Sequence, residues 1–341
     1  FADDVPTVND LIVQRQVDAG AVTVGKTNTP EFGAGSQTFN QVFGATLNPY
    51  DLSRTCGGSS GGAAVSLAAR MLPLCDGSDM GGSLRNPASF CNVVGLRPSP
   101  GRVPSVTSKA AWSPFAVEGP MGRTVADVAF YLQALAGPDD RSPIALEAPG
   151  STFAGSLDRD LTGVKVAWSP DCGGLPIDPA VRSALTSVPD VLSDLGCDVV
   201  EVWPDMSDAA EIFQTFRSWH FELASGPLLD KFPDQLKQTV IWNIEEARRR
   251  RFTDHSEATR MHVKLFRRVH EFMREFEFLA CPVSQVPPFP VTTEWITEVD
   301  GVQMDSYIEW MRSCSDITTT GHPALSVPAG FTDDGLPIGV Q

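Results

Sequence analysis

The spacing of apolar residues over 5–20 predicts a helix ended by Gly20, and AVTVGKTN from Ala21 predicts a short buried strand closing at Gly25. A polar loop follows from Asn28 to Cys56. In the next run, GGSSGGAAVSLAARMLPL, the residues Ala63, Ala64, Val65, Leu67, Ala68, Ala69 and Met71 put small or apolar groups on nearly every face. That pattern predicts a closely packed helix buried all round. Its start carries Ser and Gly, residues suited to an N-cap, so unpaired N–H groups would face the loop before it. Asp139–Asp158, rich in Pro, Ser, Asp and Gly, reads as a linker or surface excursion. Beyond it, GVKVAWSP (Gly163–Pro170), a helical stretch from Pro179 to Leu195 and CDVVEVWP (Cys197–Pro204) predict a right-handed parallel strand-helix-strand unit. Residues 208–224 and 234–279 read as helical, with Phe266, Phe272, Phe276 and Phe278 expected in the core. LSVPAGF (Leu325–Phe331) reads as another strand and turn, and the final GLPIGVQ as the start of one more.

Strands alternating with helices predict an α/β protein with a mixed β-sheet core covered by helices on both faces. No internal repeat and no low-complexity tract interrupts it. At 341 residues, with 42% hydrophobic residues, the chain has the make-up of one large or two ordinary globular domains. A net charge of −16 argues against nucleic acid or an anionic membrane as partner, because phosphate binding relies on concentrated Lys and Arg. The basic run Arg248–Arg251 follows Glu245 and Glu246 and reads as a solvated helix face. Seven cysteines, odd in number and without metal-ligand spacing, suit reduced thiols in a cytoplasmic compartment. The opening FADDVPTVND carries neither an initiator Met nor signal-peptide features, so the expectation is an internal fragment, cut at both ends.

The chemistry points to SDMGGSLRNP, Ser78–Pro87, where Ser83 follows two glycines. A core strand would lose packing by carrying Gly81 and Gly82, so the pair implies a backbone conformation or close approach that a Cβ would prevent. Acyl transfer requires such a place: a serine attacks a carbonyl, and the oxyanion formed must meet donors already in position. Consecutive N–H groups of Met80, Gly81, Gly82 and Ser83 would converge as a nest, each donor worth about 3 kcal/mol in the transition state. A second glycine-serine loop, GGSSGG at Gly57–Gly62, precedes the small-residue helix, so a path through that helix and back brings Ser59 and Ser83 to one end of it. Taken alone, SDMGGS also fits a glycine turn with a capping serine.

The segment RTCGGSSGGAAVSLAARMLPLCDGSDMGGSLRNPASFCNVVGLRPSPGRVP, Arg54–Pro104, resembles the signature block of the amidase signature family of serine hydrolases. The resemblance extends to GKTNTPEFG (Gly25–Gly33), NPYDLSRTCGG and the closing GHPALSVPAGFTDDGLPIGVQ. It implies a single amidase domain over 1–341, a signature core at 54–104 and a variable substrate-pocket part at about 140–310. It also implies hydrolysis of a small amide through serine, cis-serine and lysine. Carried over by motif, Ser83 is the acylated nucleophile, Ser59 the cis-peptide serine relaying its proton, and Ser60 an auxiliary hydrogen-bonding residue. Asp79 and Arg85 become the ion pair bracketing the loop. The family's base lysine belongs to a VKD-like strand motif upstream of the first helix, and none of Lys26, Lys109, Lys165, Lys231, Lys237 and Lys264 lies in one; Lys26 matches a different position. No cofactor is required, since peptide N–H groups supply the electrophilic assistance. A second copy of the chain is kept as a partner.

Two other serine and phosphate motifs fit less well. GGSSG satisfies GxSxG, but the hydrophobic strand that an α/β-hydrolase elbow needs is absent from NPYDLSRTC, and GGSSGG lacks the closing Gly-Lys-Ser/Thr of a P-loop. Inside the family, the amidase component of a glutamine-dependent tRNA amidotransferase shares the same block, and a truncated, inactive member remains a third reading. Trp112, Phe216, Trp219 and Trp310 are candidates for an apolar pocket, although bulky aromatics more commonly belong to a core.

Overall fold

A computed structural model describes residues 5–106 and 109–341. The chain runs through α1 (Leu11–Asp18), a small ribbon of β1 (Phe39–Asn40) and β2 (Gly44–Ala45), α2 (Gly61–Ala68), β3 (Leu74–Asp79), α3 (Arg85–Phe90), β4 (Val94–Arg97), β5 (Val117–Gly122) and α4 (Val125–Leu135). It continues through β6 (Lys165–Trp168), α5 (Pro179–Ala184), α6 (Val188–Asp194), β7 (Asp198–Glu201), and three long helices, α7 (Ala209–Lys231), α8 (Gln238–Arg249) and α9 (Phe252–Phe272). The last part holds β8 (Phe278–Ala280), a ribbon of β9 (Glu298–Val299) and β10 (Val302–Gln303), α10 (Arg312–Thr319), β11 (Ala324–Phe331) and β12 (Pro337–Val340).

Five strands in the order β12-β11-β4-β5-β3 pair antiparallel, and three in the order β7-β6-β8 pair parallel. The two groups join where Cys281 and Gln341 exchange backbone hydrogen bonds of 3.0 and 2.8 Å and Val283 donates to Gly339 at 3.1 Å. The result is the expected mixed sheet, with β3 at one end. Alternation along β3 sends neighbouring residues to opposite faces. Cys75 packs with Ala63, Leu67 and Ala88 of α2 and α3, whereas Leu74 packs with Leu132 and Leu135 of α4. The long helices bring Ile212, Phe213, Leu265 and Val269 against Phe90, Phe289 and Trp310 in the largest apolar cluster.

The parallel unit of β6 and β7 forms as read, but its helix is broken into α5 and α6. Pro189, in the first turn of α6, offers no N–H to Leu185 and crowds its carbonyl, so the helix restarts there. The first helix is shorter than 5–20, starting only at Leu11. The expected strand after it does not form: Val22 is 86% and Val24 70% exposed, and no described segment supplies the ladder a strand requires. The helical region 234–279 is interrupted between α8 and α9, where Arg250 and Arg251 are extended and Asp254 accepts from the Arg251 N–H at 2.8 Å to restart the turn. Phe276 is buried, Phe272 stacks on it at 4.8 Å, but Phe266 and Phe278 are about half exposed, and Met71 lies outside the small-residue helix in solvent. Periodicity marks a face; it does not show how far the neighbouring layer extends.

All seven cysteines are buried and free. No helix of the described residues is long and apolar enough to cross a membrane.

One cap is open to direct test. At the start of α4, Thr124 Oγ1 accepts from the Asp127 N–H at 3.1 Å and Asp127 Oδ2 accepts from the Thr124 N–H at 3.0 Å. Thr124→Ala is expected to cost about 1 kcal/mol in urea denaturation. Adding Asp127→Ala should cost less than it does alone, since the two bonds form one box.

Candidate active site

The glycine-serine loop at 57–62 is threaded between backbone walls. A Cβ on Gly62 would stand 2.5 Å from the Asn28 nitrogen, and the Gly62 N–H donates to the Asn28 carbonyl at 3.2 Å. The peptide joining Gly58 to Ser59 is cis, as the resemblance implies. Thr38 Oγ1 donates to the Gly57 carbonyl at 2.9 Å and Ser36 Oγ to the Gly58 carbonyl at 2.8 Å, and Asn86 Nδ2 holds Ser36 in turn at 3.0 Å.

The chain then passes through α2 and β3 to the second loop, and the two loops meet. The Ser60 N–H donates to the Ser83 carbonyl at 3.1 Å, and Ser60 Oγ lies 3.4 Å from the Ser78 carbonyl oxygen. Ser59 and Ser60 are buried, whereas Ser83 is partly open.

Asp79, at the end of β3, organises the second loop. Its carboxylate accepts from the N–H groups of Gly82 at 3.0 Å and Leu84 at 3.1 Å, and from Arg85 Nε and Nη2 at 3.1 and 3.0 Å. Arg97 approaches the same carboxylate at 3.3 Å and donates to the Asp79 carbonyl at 2.6 Å. Burial alone would raise the Asp79 carboxyl, but the Arg85 and Arg97 charges and these hydrogen bonds hold it down at about 2. Asp79 and Arg85 are thus the expected pair. Arg97 is the member that the sequence does not announce; in GLRPSP nothing but its apolar neighbours hints at a buried cation. Arg85 extends the anchor to the Cys314 carbonyl at 3.1 Å and Gln341 Oε1 at 2.8 Å, tying the loop to α10 and the sheet junction.

Of the expected oxyanion donors, Gly82 has its N–H engaged by Asp79, whereas the amides of Gly81 and Ser83 donate to no group of the described chain. Met80 and Gly81 face α7: Met80 Sδ is 3.6 Å from Arg217 Nη1, and a Cβ on Gly81 would meet Phe213 Cζ at 3.1 Å. None of the lysines bonds to Ser59, Ser60 or Ser83 among the described residues. Lys26 is exposed, and Lys237 donates to the Ala34 carbonyl at 3.1 Å, pairs with Glu294 at 3.5 Å and lies 4.1 Å over the Phe39 ring. Of the four aromatic candidates, Trp310 is core, Trp112 is 77% exposed, Trp219 sits at the surface and Phe216 stacks on Phe115 at 4.8 Å.

Beside Ser78, a cavity of about 190 Å³ is bounded by Val103, Val117, Glu118, Ile144 and His220. Burial, helped by Asp10 and Asp76, pushes the Glu118 carboxyl up to about 7. Burial and the Arg217 charge push His220 down to about 4. Between the ordinary carboxylate range and pH 7 the folded chain holds a proton on Glu118 that the unfolded chain releases, so stability should fall as pH rises through that window. Thermal melts from pH 4 to 8 should show Glu118→Gln more stable than the wild type at pH 8 and no different at pH 4.

Comparison with known proteins places the chain among amidases. The Amidase family model matches residues 1–341. An acylamidase from Rhodococcus erythropolis is 33% identical over 345 residues, covering 100% of this chain and 72% of that protein. The A-type subunit of the glutamyl-tRNA(Gln) amidotransferase of Synechococcus sp. (strain RCC307) is 32% identical over 361 residues, covering 99% of this chain and 73% of that protein. Among solved structures, a bacterial aryl acylamidase of the amidase signature family superposes with a TM-score of 0.89 at 26% identity, over 98% of this chain and 71% of that one. The chain belongs to the amidase signature family, hydrolases of carbon–nitrogen bonds in amides.

Proposed function

We propose that this amidase works through an acyl-enzyme on Ser83, with Ser59 as the proton relay. Ser83 Oγ bonds to the amide carbonyl carbon, its proton passes through Ser59 towards a base and on to the leaving nitrogen, and the C–N bond breaks to release ammonia or an amine. Water then cleaves the ester and restores Ser83. The hydrogen bond from the Ser60 N–H to the Ser83 carbonyl carries this reading, because it docks the cis-peptide loop onto the nucleophile loop. The free amides of Gly81 and Ser83 supply donors for the oxyanion, and Ser60 steadies the contact. One amidase domain over 1–341, with its signature core at 54–104, fits this scheme. The part at about 140–310 supplies the wall of the site through α7. Seven buried thiols without a disulfide support work in a reducing, cytoplasmic compartment.

A serine hydroxyl attacks slowly unless a positioned base takes its proton. Since no described lysine touches Ser59 or Ser83, this chain is expected to turn amides over weakly. Turnover in the ordinary enzymatic range, about 1 per second or more, would defeat that expectation. Prolonged labelling with a fluorophosphonate, followed by peptide mapping, tests the nucleophile: the chain should carry the label on Ser83 and lose it in Ser83→Ala. A label that survives the substitution rules Ser83 out.

The similarity to the amidase components of tRNA amidotransferases favours a second reading, in which ammonia passes to a partner protein. Glutaminase activity that rises on adding a co-purifying partner would establish it over the stand-alone amidase.

A further inference from the structure

Three arginines are buried among the described residues: Arg85, Arg97 and Arg217. The first two share the Asp79 carboxylate. Arg217, on α7, has no carboxylate within ion-pair distance among the described residues, although only 5% of it is exposed. Its guanidinium lies among three rings, 4.8 Å from the Phe221 centroid, 5.7 Å from Tyr307 and 5.8 Å from Phe213. Nη2 donates to Tyr307 Oη at 2.8 Å and Nη1 contacts Met80 Sδ at 3.6 Å, while Nε is buried without an acceptor. One neighbouring polar atom is also unsatisfied: Asn243 donates to Tyr307 Oη at 2.5 Å but its own Oδ1 is unpartnered among the described residues.

Ring faces attract a cation but do not neutralise it, and an isolated buried charge is costly unless an anion completes it. The place of this charge gives it a use. Arg217 touches Met80, three residues before Ser83, and Phe213, one turn earlier on α7, packs on Gly81. His220, one turn later, lines the cavity beside Ser78. The same face of α7 therefore borders the loop that would hold the reacting carbonyl and the open space next to it.

We propose that Arg217 reads a carboxylate on the substrate, so that this enzyme prefers small amides that carry a negative charge, such as monoamides of short dicarboxylic acids. This deepens the proposed function and rests on Ser83 being the nucleophile. The fork of N–H groups on Arg217 matches a carboxylate, which would complete Nε and leave the amide end of a short molecule towards Ser83.

The test uses pairs of ligands that differ only in charge: monoamides of three- to six-carbon dicarboxylic acids against the corresponding diamides. Binding is measured by calorimetry to the Ser83→Ala chain, which cannot turn them over, and to Ser83→Ala carrying Arg217→Met. At least one monoamide should bind about tenfold or more tighter than its diamide, and Arg217→Met should abolish that ratio. Equal binding of every pair to the Ser83→Ala chain overturns the proposal, whether or not the Met variant folds. So does a charge preference that survives in a folded Arg217→Met protein, as judged by its thermal melt. Prolonged fluorophosphonate labelling with peptide mapping separates the two claims. A label on Ser83 with no charge preference refutes the role of Arg217 alone, and a label that persists in Ser83→Ala refutes the nucleophile.

Discussion

Asp79→Asn is expected to remove about 3–5 kcal/mol of stability, the usual consequence of deleting one partner from a buried charge network. Two guanidinium groups, Arg85 and Arg97, converge on this one carboxylate, and all three side chains are fully buried. An amide in its place keeps the shape but leaves two positive charges facing one another without compensation. It also weakens the acceptors for the Gly82 and Leu84 N–H groups that shape the serine loop. Guanidinium chloride denaturation of the two proteins, with the slope checked for equality, measures the loss; a difference below about 1 kcal/mol would show that the arginines find other partners. The wild type has its own signature. Because the Asp79 carboxyl is held at about 2, below its ordinary value, its contribution is complete above the ordinary carboxylate range and disappears as pH falls through about 2. The Asn variant should lack that part of the acid transition.

Gly82→Ala should be the most damaging single methyl addition for activity. Gly82 has φ +112°, a region that L side chains rarely adopt, and its added Cβ would fall 2.6 Å from Cys314 Cβ and 2.9 Å from its Sγ. The loop would have to move, and Ser83 follows Gly82 directly. With Ser83 as the proposed nucleophile, a displacement of about 1 Å there costs on the order of a hundredfold in rate, so amide turnover and fluorophosphonate labelling should both fall by at least that factor. Cys314→Ala cannot rescue it, because the nearer clash is with Cβ. Cys314→Gly relieves the contact but not the backbone strain, so recovery in the double variant should be partial. Full activity in Gly82→Ala alone would mean that the loop does not need this conformation.

Much of the site was legible in the residues themselves. Gly81, Gly82 and Ser83 formed a pattern that no core strand would carry, and the second loop at Gly57–Gly62 named its partner. The β6–β7 crossover was legible too, because parallel strands flanking a helical stretch leave few alternatives. The single helix expected over 179–195 and the strand expected after Ala21 do not form, for related reasons. Local apolar spacing records what a segment is able to do, whereas the break at Pro189 and the missing ladder beside Val22 and Val24 depend on particular neighbours.

The sequence by itself determined the family, the alternation of strands and helices, the meeting of the two glycine-serine loops and the Asp79–Arg85 pairing, because short-range backbone chemistry and a long motif specify these. Only the tertiary structure decided that Arg97 completes the Asp79 network, that the Gly82 amide is already engaged, and that Arg217 lies behind Met80 with no carboxylate partner among the described residues. A charge shows its partner only when segments distant along the chain are packed together, and burial is what turns the lack of a partner into a physical demand.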